Sequence, residues 1–324
     1  MAYIHESTAH LPLKVVIHDH PQGVDELVSA WAALRLLGRN RPDAKLAFVR
    51  AGESLPDEER AGFEVVHIDT GRGEFDQHNR PELGRTSSFE LFAKHYGLDQ
   101  DPGIKSLLEL TIMADNVEVI DPTSIHYLFK SRVKRFTDPA TKETDWSTYI
   151  EACFGDLDDL YEFYLCKAKA HAQLEKALFH PKAAQARELE NGIRVYYLGF
   201  SPNLREAAFE RGADVVVTCV KKGEGFYPLI QSSRGSGLKL CGANFALRYA
   251  EAKAREIPTK GLDLWRNEKD PRLGAAWFLH QSDKFLCCGS RSHELESPDE
   301  FTKLNPGQIM STVCSTLSKL PPQG

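Results

Sequence analysis

Short β-branched apolar runs alternate with segments of helical periodicity in the N-terminal part of the chain, and this alternation restricts the fold more than any other feature. The run LKVVIHDH predicts a buried strand, and the segment VDELVSAWAALRLLGRN after it predicts a helix with one apolar face. Strands that alternate with helices form parallel sheets, so we expect an α/β domain here. The strands are predicted at residues 13–20, 44–50 and 62–71, and the helices at residues 24–40, 86–98 and 104–121.

A long helix is predicted in the middle of the chain, where residues 145–190 show helical periodicity with a break at His180 and Pro181. Strand-like runs return from Ile193 onward, with helical segments between and after them. The predicted fold is therefore α/β, with a parallel-sheet N-terminal domain and a smaller mixed α/β C-terminal domain joined by a long helical segment. The predicted boundaries are residues 1–145, 146–190 and 191–324.

Composition excludes some classes of protein and indicates a compartment. The 324 residues carry a formal net charge of -6 at neutral pH, whereas a protein that coats nucleic acid is normally basic. The seven cysteines are scattered, with no Cys-x-x-Cys pair, which favours free thiols over a disulfide framework. The first residues lack the pattern of a secretory signal, and no apolar run is long enough to span a bilayer. We expect a cytoplasmic protein with no membrane partner.

Acidic residues and histidines gather in three segments, each after a predicted strand or its equivalent. In a parallel sheet the loops beyond the carboxyl ends of the strands converge on one crevice, so these side chains are expected to meet there. Carboxylates with imidazoles suit Mn²⁺ or Mg²⁺, and a carboxylate such as Asp69 that bridges two ions is typical of sites that polarise a phosphate and activate water. The first segment carries His18, Asp19, His20 and Asp25, the second carries Asp69, Asp76 and His78, and the third carries Asp115.

The order of the motifs VIHDHPQGVDELVSAWAAL, VVHIDTGRGEFDQHN, TSSFELFAKHYGL and TIMADN resembles the DHH phosphoesterase superfamily. Within it, the sequence is most similar to the branch of the melanocyte-proliferating-gene protein, a family of metal-dependent hydrolases with 3′-5′ RNA exonuclease activity. The C-terminal segment AAWFLHQSDKFLCCGSR is similar to the closing strand of that branch. The resemblance implies an N-terminal domain of the DHH type and a C-terminal substrate-binding domain.

The resemblance also implies one or two divalent ions, Mn²⁺ or Mg²⁺, and a role for each acidic segment. The implied ligands are His18 and Asp69 for one ion, and Asp25, Asp69 and Asp115 for the other. The implied catalytic residues are His78, which would face the substrate phosphate, and Asp76.

Two positions depart from the pattern of the family. Gly23 stands where the family has a metal-binding His or Asp, and a glycine has no side chain to offer. Gln77 stands where the family has a His ligand, and an amide oxygen binds Mn²⁺ more weakly than imidazole does. His20 or Asp19 is a candidate to fill the first vacancy.

In this superfamily the second lobe clamps the substrate over the metal site, and Gly-rich loops with an arginine suit phosphate oxygens. The candidate substrate-binding residues are Arg234, Gly289, Ser290 and Arg291. The expected partner is a nucleotide or a short single-stranded RNA, and the sequence leaves open whether the protein forms a homodimer.

Three functions stay open on the sequence. The first is a metal-dependent phosphodiester hydrolase that acts on RNA, oligonucleotide or nucleotide substrates. The second is a catalytically degenerate nucleotide-binding or sensor protein of the same fold, which Gly23 and Gln77 favour. The third is a pyrophosphatase-like or small-molecule phosphatase.

Overall fold

The computed structural model describes residues 11–37, 43–78, 80–265, 272–273, 275–289 and 298–321. The chain forms two compact units, Met1–Ala168 and Lys169–Gly324. The division falls within the longest helix, Trp146–Leu178, which is α6 in chain order. Both units combine a β-sheet with helices, which confirms the predicted α/β class.

The first unit is built on a parallel sheet of three strands in the order β2-β1-β3. The strands are β1 (Leu13–His18), β2 (Lys45–Val49) and β3 (Glu64–His67). Strand β1 is central and is buried on both faces, with Val15 and Ile17 in the main core and Val16 in a smaller cluster on the other side. Burial on both faces explains why this strand is a continuous apolar run in the sequence.

Five α-helices precede α6 in the described part of the first unit, and all of them except α2 contribute buried residues to the main core on one side of this sheet. They are α1 (Val24–Trp31), α2 (Asp57–Arg60), α3 (Ser88–His95), α4 (Pro102–Asp115) and α5 (Ile125–Phe136). Helix α1 continues into a π-helical turn over Ala32–Leu37, and it packs against α3 and α4. Its fully buried Trp31 is part of the main core.

The second unit contains a mixed sheet of six strands in the order β4-β5-β6-β7-β9-β8, in which only the β5–β6 pair is parallel. Its strands are β4 (Gln185–Glu188), β5 (Arg194–Tyr197), β6 (Val215–Lys222), β7 (Gly225–Ser232), β8 (Trp277–Leu279) and β9 (Phe285–Cys288). Its helices are α7 (Arg205–Glu210), α8 (Cys241–Ala254) and α9 (Pro306–Leu317). Val215 and Val217 face the cluster that includes α8 and α9, whereas Val216 faces α7 and the end of α6.

The structure differs from the predicted elements in two places. The helix predicted over residues 104–121 ends at Asp115, and Val117 two residues later has a φ of 55°, which a helix cannot contain. The helical segment predicted to reach residue 190 ends at Leu178 and is followed by strand β4. The predicted end of the first helix, at residues 38–40, lies outside the described residues.

Two further sequence predictions concern membrane spans and cysteines. Among the residues that the structure describes, no helix combines the length and the apolar character that crossing a membrane requires. All seven cysteines are free thiols, as the sequence predicts, and five of them are buried.

Candidate metal centre

Acidic and histidine side chains gather at the carboxyl end of the three-stranded sheet. Strand β1 ends at His18, and the chain beyond β3 reaches Asp69 next to a bridge between Ile68 and Phe75. Because β1 and β3 are adjacent and parallel, their carboxyl ends lie side by side. The first turns of α1 and α3 and the last residue of α4 complete the site.

The loop from Asp69 to His78 is held in shape by its own hydrogen bonds. Asp69 has a φ of 54°, in the left-handed region that Asp and Asn adopt more readily than other side chains do. The buried carboxylate of Asp76 accepts hydrogen bonds from the N–H groups of Arg72 at 2.8 Å and His78 at 3.0 Å. These bonds fix the loop that presents Asp69 and His78.

Asp69 belongs to three groups of ligand-type side chains, and in each group one ligand atom per residue lies within 4.8 Å of the others. The groups are His18, Glu26 and Asp69; Asp69, Asp76 and His78; and Asp25, Asp69 and Asp115. We call these seven side chains the Asp69 cluster. The structure thus brings together all the residues that were predicted as metal ligands or as catalytic residues. The sequence interpretation missed Glu26 as a member, and only its place next to Asp25 in the first turn of a helix pointed to it.

Asp25 links the cluster to the start of helix α3. Its two carboxylate oxygens accept hydrogen bonds from the N–H groups of Ser88 and Phe89, each at 2.9 Å. The N–H groups at a helix start have no partner within the helix, and they favour a negative charge. Each carboxylate oxygen keeps a lone pair for a further contact, so Asp25 is held in place and can still bind a cation.

The carboxylates of the cluster repel one another when no cation is present. Burial, together with the charge of Asp69, raises the pKa of Asp115 from 3.8 to about 6. The same two causes raise the pKa of Asp25 well above its ordinary value. His78 donates a hydrogen bond to Asp69 at 2.9 Å, and this bond raises the pKa of His78 to about 9, so that its ring is protonated at neutral pH. A divalent cation would relieve the repulsion directly.

Gln77 lies between two of these carboxylates. Its amide nitrogen donates hydrogen bonds to Asp115 at 2.9 Å and to Asp69 at 3.3 Å, while its amide oxygen accepts one from the hydroxyl of Ser88. The amide therefore donates two hydrogen bonds to carboxylates that would otherwise repel each other. Rotated by half a turn about its last bond, the same amide would offer an oxygen ligand to a cation.

Glu26, and not His20 or Asp19, lies next to Gly23 within the Asp69 cluster. One oxygen of Glu26 lies 3.2 Å from Nε2 of His18 and accepts the N–H of Gly23 at 2.5 Å. His20 and Asp19 contact each other at 2.8 Å with both side chains largely exposed to solvent, and neither joins the groups found in the described part of the chain. The structure therefore does not bring His20 or Asp19 into the cluster, and the two side chains pair with each other instead.

Of the residues predicted to bind substrate, Arg234 and Gly289 are described; both lie in the second unit, and the structure does not bring these two together. Arg234 is exposed in the loop after β7, and Gly289 follows β9. Strands β7 and β9 are antiparallel, so the loop after β7 and the residue after β9 lie at opposite ends of their ladder. Ser290 and Arg291 lie outside the described residues.

The metal-free protein is expected to lose stability as the pH rises through about 6. The pKa of Asp115 is higher in the folded chain than in the unfolded chain, so the folded state binds the proton more tightly, and this stabilisation is lost as the carboxyl group ionises. Thermal unfolding in a chelator between about pH 4 and pH 7 measures the effect, because the loss falls between the pKa of the unfolded carboxyl group and that of the folded one. The variant Asp115→Asn cannot ionise and should show a weaker dependence on pH, whereas an unchanged dependence would contradict the assignment.

Comparisons with known proteins leave the family of the chain open. No family model matches the sequence, and no curated protein matches it either. One similar solved structure is the pGpG-specific phosphodiesterase PggH of Vibrio cholerae, with 10% identity over 94% of this chain and 98% of that chain and a TM-score of 0.31. Another is a DHH domain from a protein described as a member of a family of ribosomal proteins, with 14% identity over 96% of this chain and 87% of that chain and a TM-score of 0.30. TM-scores of this size do not establish a shared fold, so the fold and the site rest on the geometry of the chain itself.

Proposed function

We propose that the protein is a metal-dependent phosphodiester hydrolase of the DHH phosphoesterase superfamily, acting on a nucleotide or a short RNA. The observation that carries the proposal is the position of Asp69, which belongs to all three groups of ligand-type side chains. A carboxylate placed in this way suits two neighbouring divalent ions. The motifs around His18, Asp25 and Asp115, which follow the order of the superfamily, support the same assignment.

The donor set of the Asp69 cluster fits Mn²⁺ or Mg²⁺. The ligand atoms of the groups in the described residues are carboxylate oxygens and imidazole nitrogens, without a thiolate. Hard cations prefer oxygen, and Mn²⁺ also accepts imidazole. His18 and Asp69 would hold one ion, and Asp25, Asp69 and Asp115 would hold a second. An ion bound there supplies a Lewis acid for a phosphate oxygen and lowers the pKa of water.

The protonated ring of His78 would lie next to the phosphate of the substrate. Its side chain is 59% exposed, yet Nε2 is hydrogen-bonded to Asp69 at 2.9 Å, so the ring is both anchored and open to a substrate. A protonated imidazole donates to a phosphate oxygen or protonates a leaving oxygen. Asp76 would keep His78 in place, since its carboxylate accepts the N–H of that residue.

The test of the proposed function is hydrolysis of defined phosphodiesters by the purified full chain. We would treat the protein with a chelator, reload it with Mn²⁺ or Mg²⁺, and separate the products from dinucleotides, RNA oligomers and matched DNA oligomers. Inorganic pyrophosphate and a small phosphomonoester test the phosphatase alternative. We expect metal-dependent cleavage of dinucleotides or RNA. A fully metal-loaded protein that cleaves none of the phosphodiesters would contradict the proposal.

A nucleotide-binding protein without turnover is the second candidate, and the position of Gln77 favours it. Its amide donates hydrogen bonds to Asp69 and Asp115, so it partly replaces the positive charge that a cation would bring. Dinucleotide affinity and turnover measured on the same Mn²⁺-loaded sample separate the two candidates. Tight binding without product, combined with a gain of turnover in Gln77→His, would establish the binding function.

Arg234 and Arg291 are proposed phosphate contacts, and we expect their replacement to raise KM to different extents. Arg234 and Gly289 lie at opposite ends of the β7–β9 ladder, so one phosphate would contact only one of the two predicted loops. Loss of the arginine that binds should raise KM about 10- to 100-fold, because a hydrogen bond to a charged group contributes about 1.5–3 kcal/mol. Steady-state kinetics of Arg234→Ala and Arg291→Ala measure this, and equal KM values in both variants and the wild type would exclude both contacts.

A further inference from the structure

We propose that Glu26 is the third protein ligand of the cation held by His18 and Asp69, and that Gly23 is a glycine because the Glu26 carboxylate needs its space. This inference rests on the proposed function, since it adds a ligand to the same metal centre. It concerns a residue to which the sequence motifs assigned no role.

The contacts of Glu26 place its carboxylate inside the metal centre. Glu26 is only 4% exposed, although it lies in the first turn of a helix, where an acidic side chain normally reaches water. One of its oxygens lies 3.2 Å from Nε2 of His18, and a ligand atom of Asp69 lies within 4.8 Å of both groups. One imidazole nitrogen and two carboxylate oxygens that lie this close together would supply three ligand atoms of the types that Mn²⁺ accepts.

The backbone conformation of Gly23 does not require a glycine. The explanation that remains is the space that a side chain would occupy beside Glu26. Its φ of -81° and ψ of 151° are extended values that any residue adopts. A Cβ atom on Gly23 would overlap one oxygen of Glu26 and would lie 2.9 Å from its Cδ. A side chain at position 23 would therefore displace the Glu26 carboxylate from its position beside His18.

Capping of helix α1 is the purely structural explanation for Glu26. Its carboxylate accepts the N–H of Gly23 at 2.5 Å, as a capping residue does. Capping requires neither the negative charge, nor burial, nor contact with His18. A variant that keeps the hydrogen bond and removes the charge separates the two roles, and Glu26→Gln is that variant.

The experiment measures Mn²⁺ binding by calorimetry and counts bound Mn²⁺ by electron paramagnetic resonance in the full chain. Replacement of a residue that only supports a metal ligand lowers affinity about 10- to 100-fold, so we expect Glu26→Gln to weaken one site by about 100-fold or more. Gly23→Ala should weaken the same site, because the added methyl group displaces the carboxylate. In a Glu26→Ala background, Gly23→Ala should have no further effect on Mn²⁺ affinity.

The outcomes distinguish this inference from the proposed function. If the wild-type protein binds no Mn²⁺, both are overturned. If the wild type binds Mn²⁺ and Glu26→Gln binds it equally well, only the role of Glu26 is overturned. Gly23→Ala tests the same point without changing any ionisable group, should Glu26→Gln fail to fold. Glu59→Gln, on the exposed surface of α2, is the matched control and should keep wild-type affinity.

Discussion

Replacing Asp69 with asparagine is expected to abolish hydrolysis, with a loss of about 1,000-fold or more, and to remove bound Mn²⁺. A metal ion contributes several kcal/mol to the stabilisation of the transition state, and about 4 kcal/mol corresponds to 1,000-fold in rate. Asp69 belongs to every ligand group of the described cluster, so its loss affects both ions at once. Turnover of a dinucleotide and elemental analysis of the purified variant measure the two effects.

Asparagine is the right replacement because it keeps the local backbone. Asp69 has a φ of 54°, and asparagine adopts this conformation about as readily as aspartate. Asp283, with a φ of 57°, is an aspartate of the same backbone type in the second unit, and Asp283→Asn is the matched control. Wild-type turnover and metal content are expected for that control. Retained turnover in Asp69→Asn with a loss in Asp283→Asn would contradict the assigned centre.

Replacing Asp25 with alanine is expected to lower the free energy of unfolding by about 3 kcal/mol and to remove one of the two ions. The change leaves the buried N–H groups of Ser88 and Phe89 without their acceptor, and each costs about 1–3 kcal/mol. Relief of the repulsion with Asp69 and Asp115 offsets a part of this cost in the metal-free protein. Denaturant unfolding in a chelator measures the stability, and Mn²⁺ titration measures the number of sites.

Asp101 provides the control for Asp25, because it also holds the start of a helix. Its carboxylate accepts the N–H of Gly103 at 2.8 Å and the hydroxyl of Tyr161 at 2.8 Å, outside the Asp69 cluster. Asp101→Ala should cost about 1–2 kcal/mol and should leave Mn²⁺ binding unchanged. If Asp25→Ala behaved like Asp101→Ala in both measurements, Asp25 would be a helix cap and not a metal ligand.

The positions of the site residues could be predicted from the sequence because they depend on strand order and local patterns alone. The apolar run at β1 and the acidic residue after β3 predict two strand ends, and parallel neighbours bring such ends together. His18 and Asp69 are adjacent for this reason. The capping pattern at Ser87 likewise predicts the start of α3, where Asp25 is anchored.

Other features depend on tertiary contacts that no local pattern reveals. Strand β4, with the sequence QARE, is polar and mostly exposed, and only its pairing with β5 makes it a strand. Glu26 has the sequence context of an ordinary capping residue, and its burial against His18 follows from the packing of α1 on the sheet. Arg234 and Gly289 each lie in a plausible phosphate loop, but the antiparallel order of β7 and β9 separates them.

The side chains of the Asp69 cluster come from separate elements spread from His18 to Asp115, and in the proposed metal centre this spacing would link the supply of the ion to the survival of the protein. An unfolded chain cannot assemble such a set, so a divalent ion held by the proposed centre would bind the folded state alone and would stabilise it. At a free ion concentration of 100 times Kd, the stabilisation is about 2.7 kcal/mol. Cells short of manganese or magnesium would therefore lose more than activity: proteolysis would remove the metal-free molecules, and the amount of protein would follow the supply of the ion.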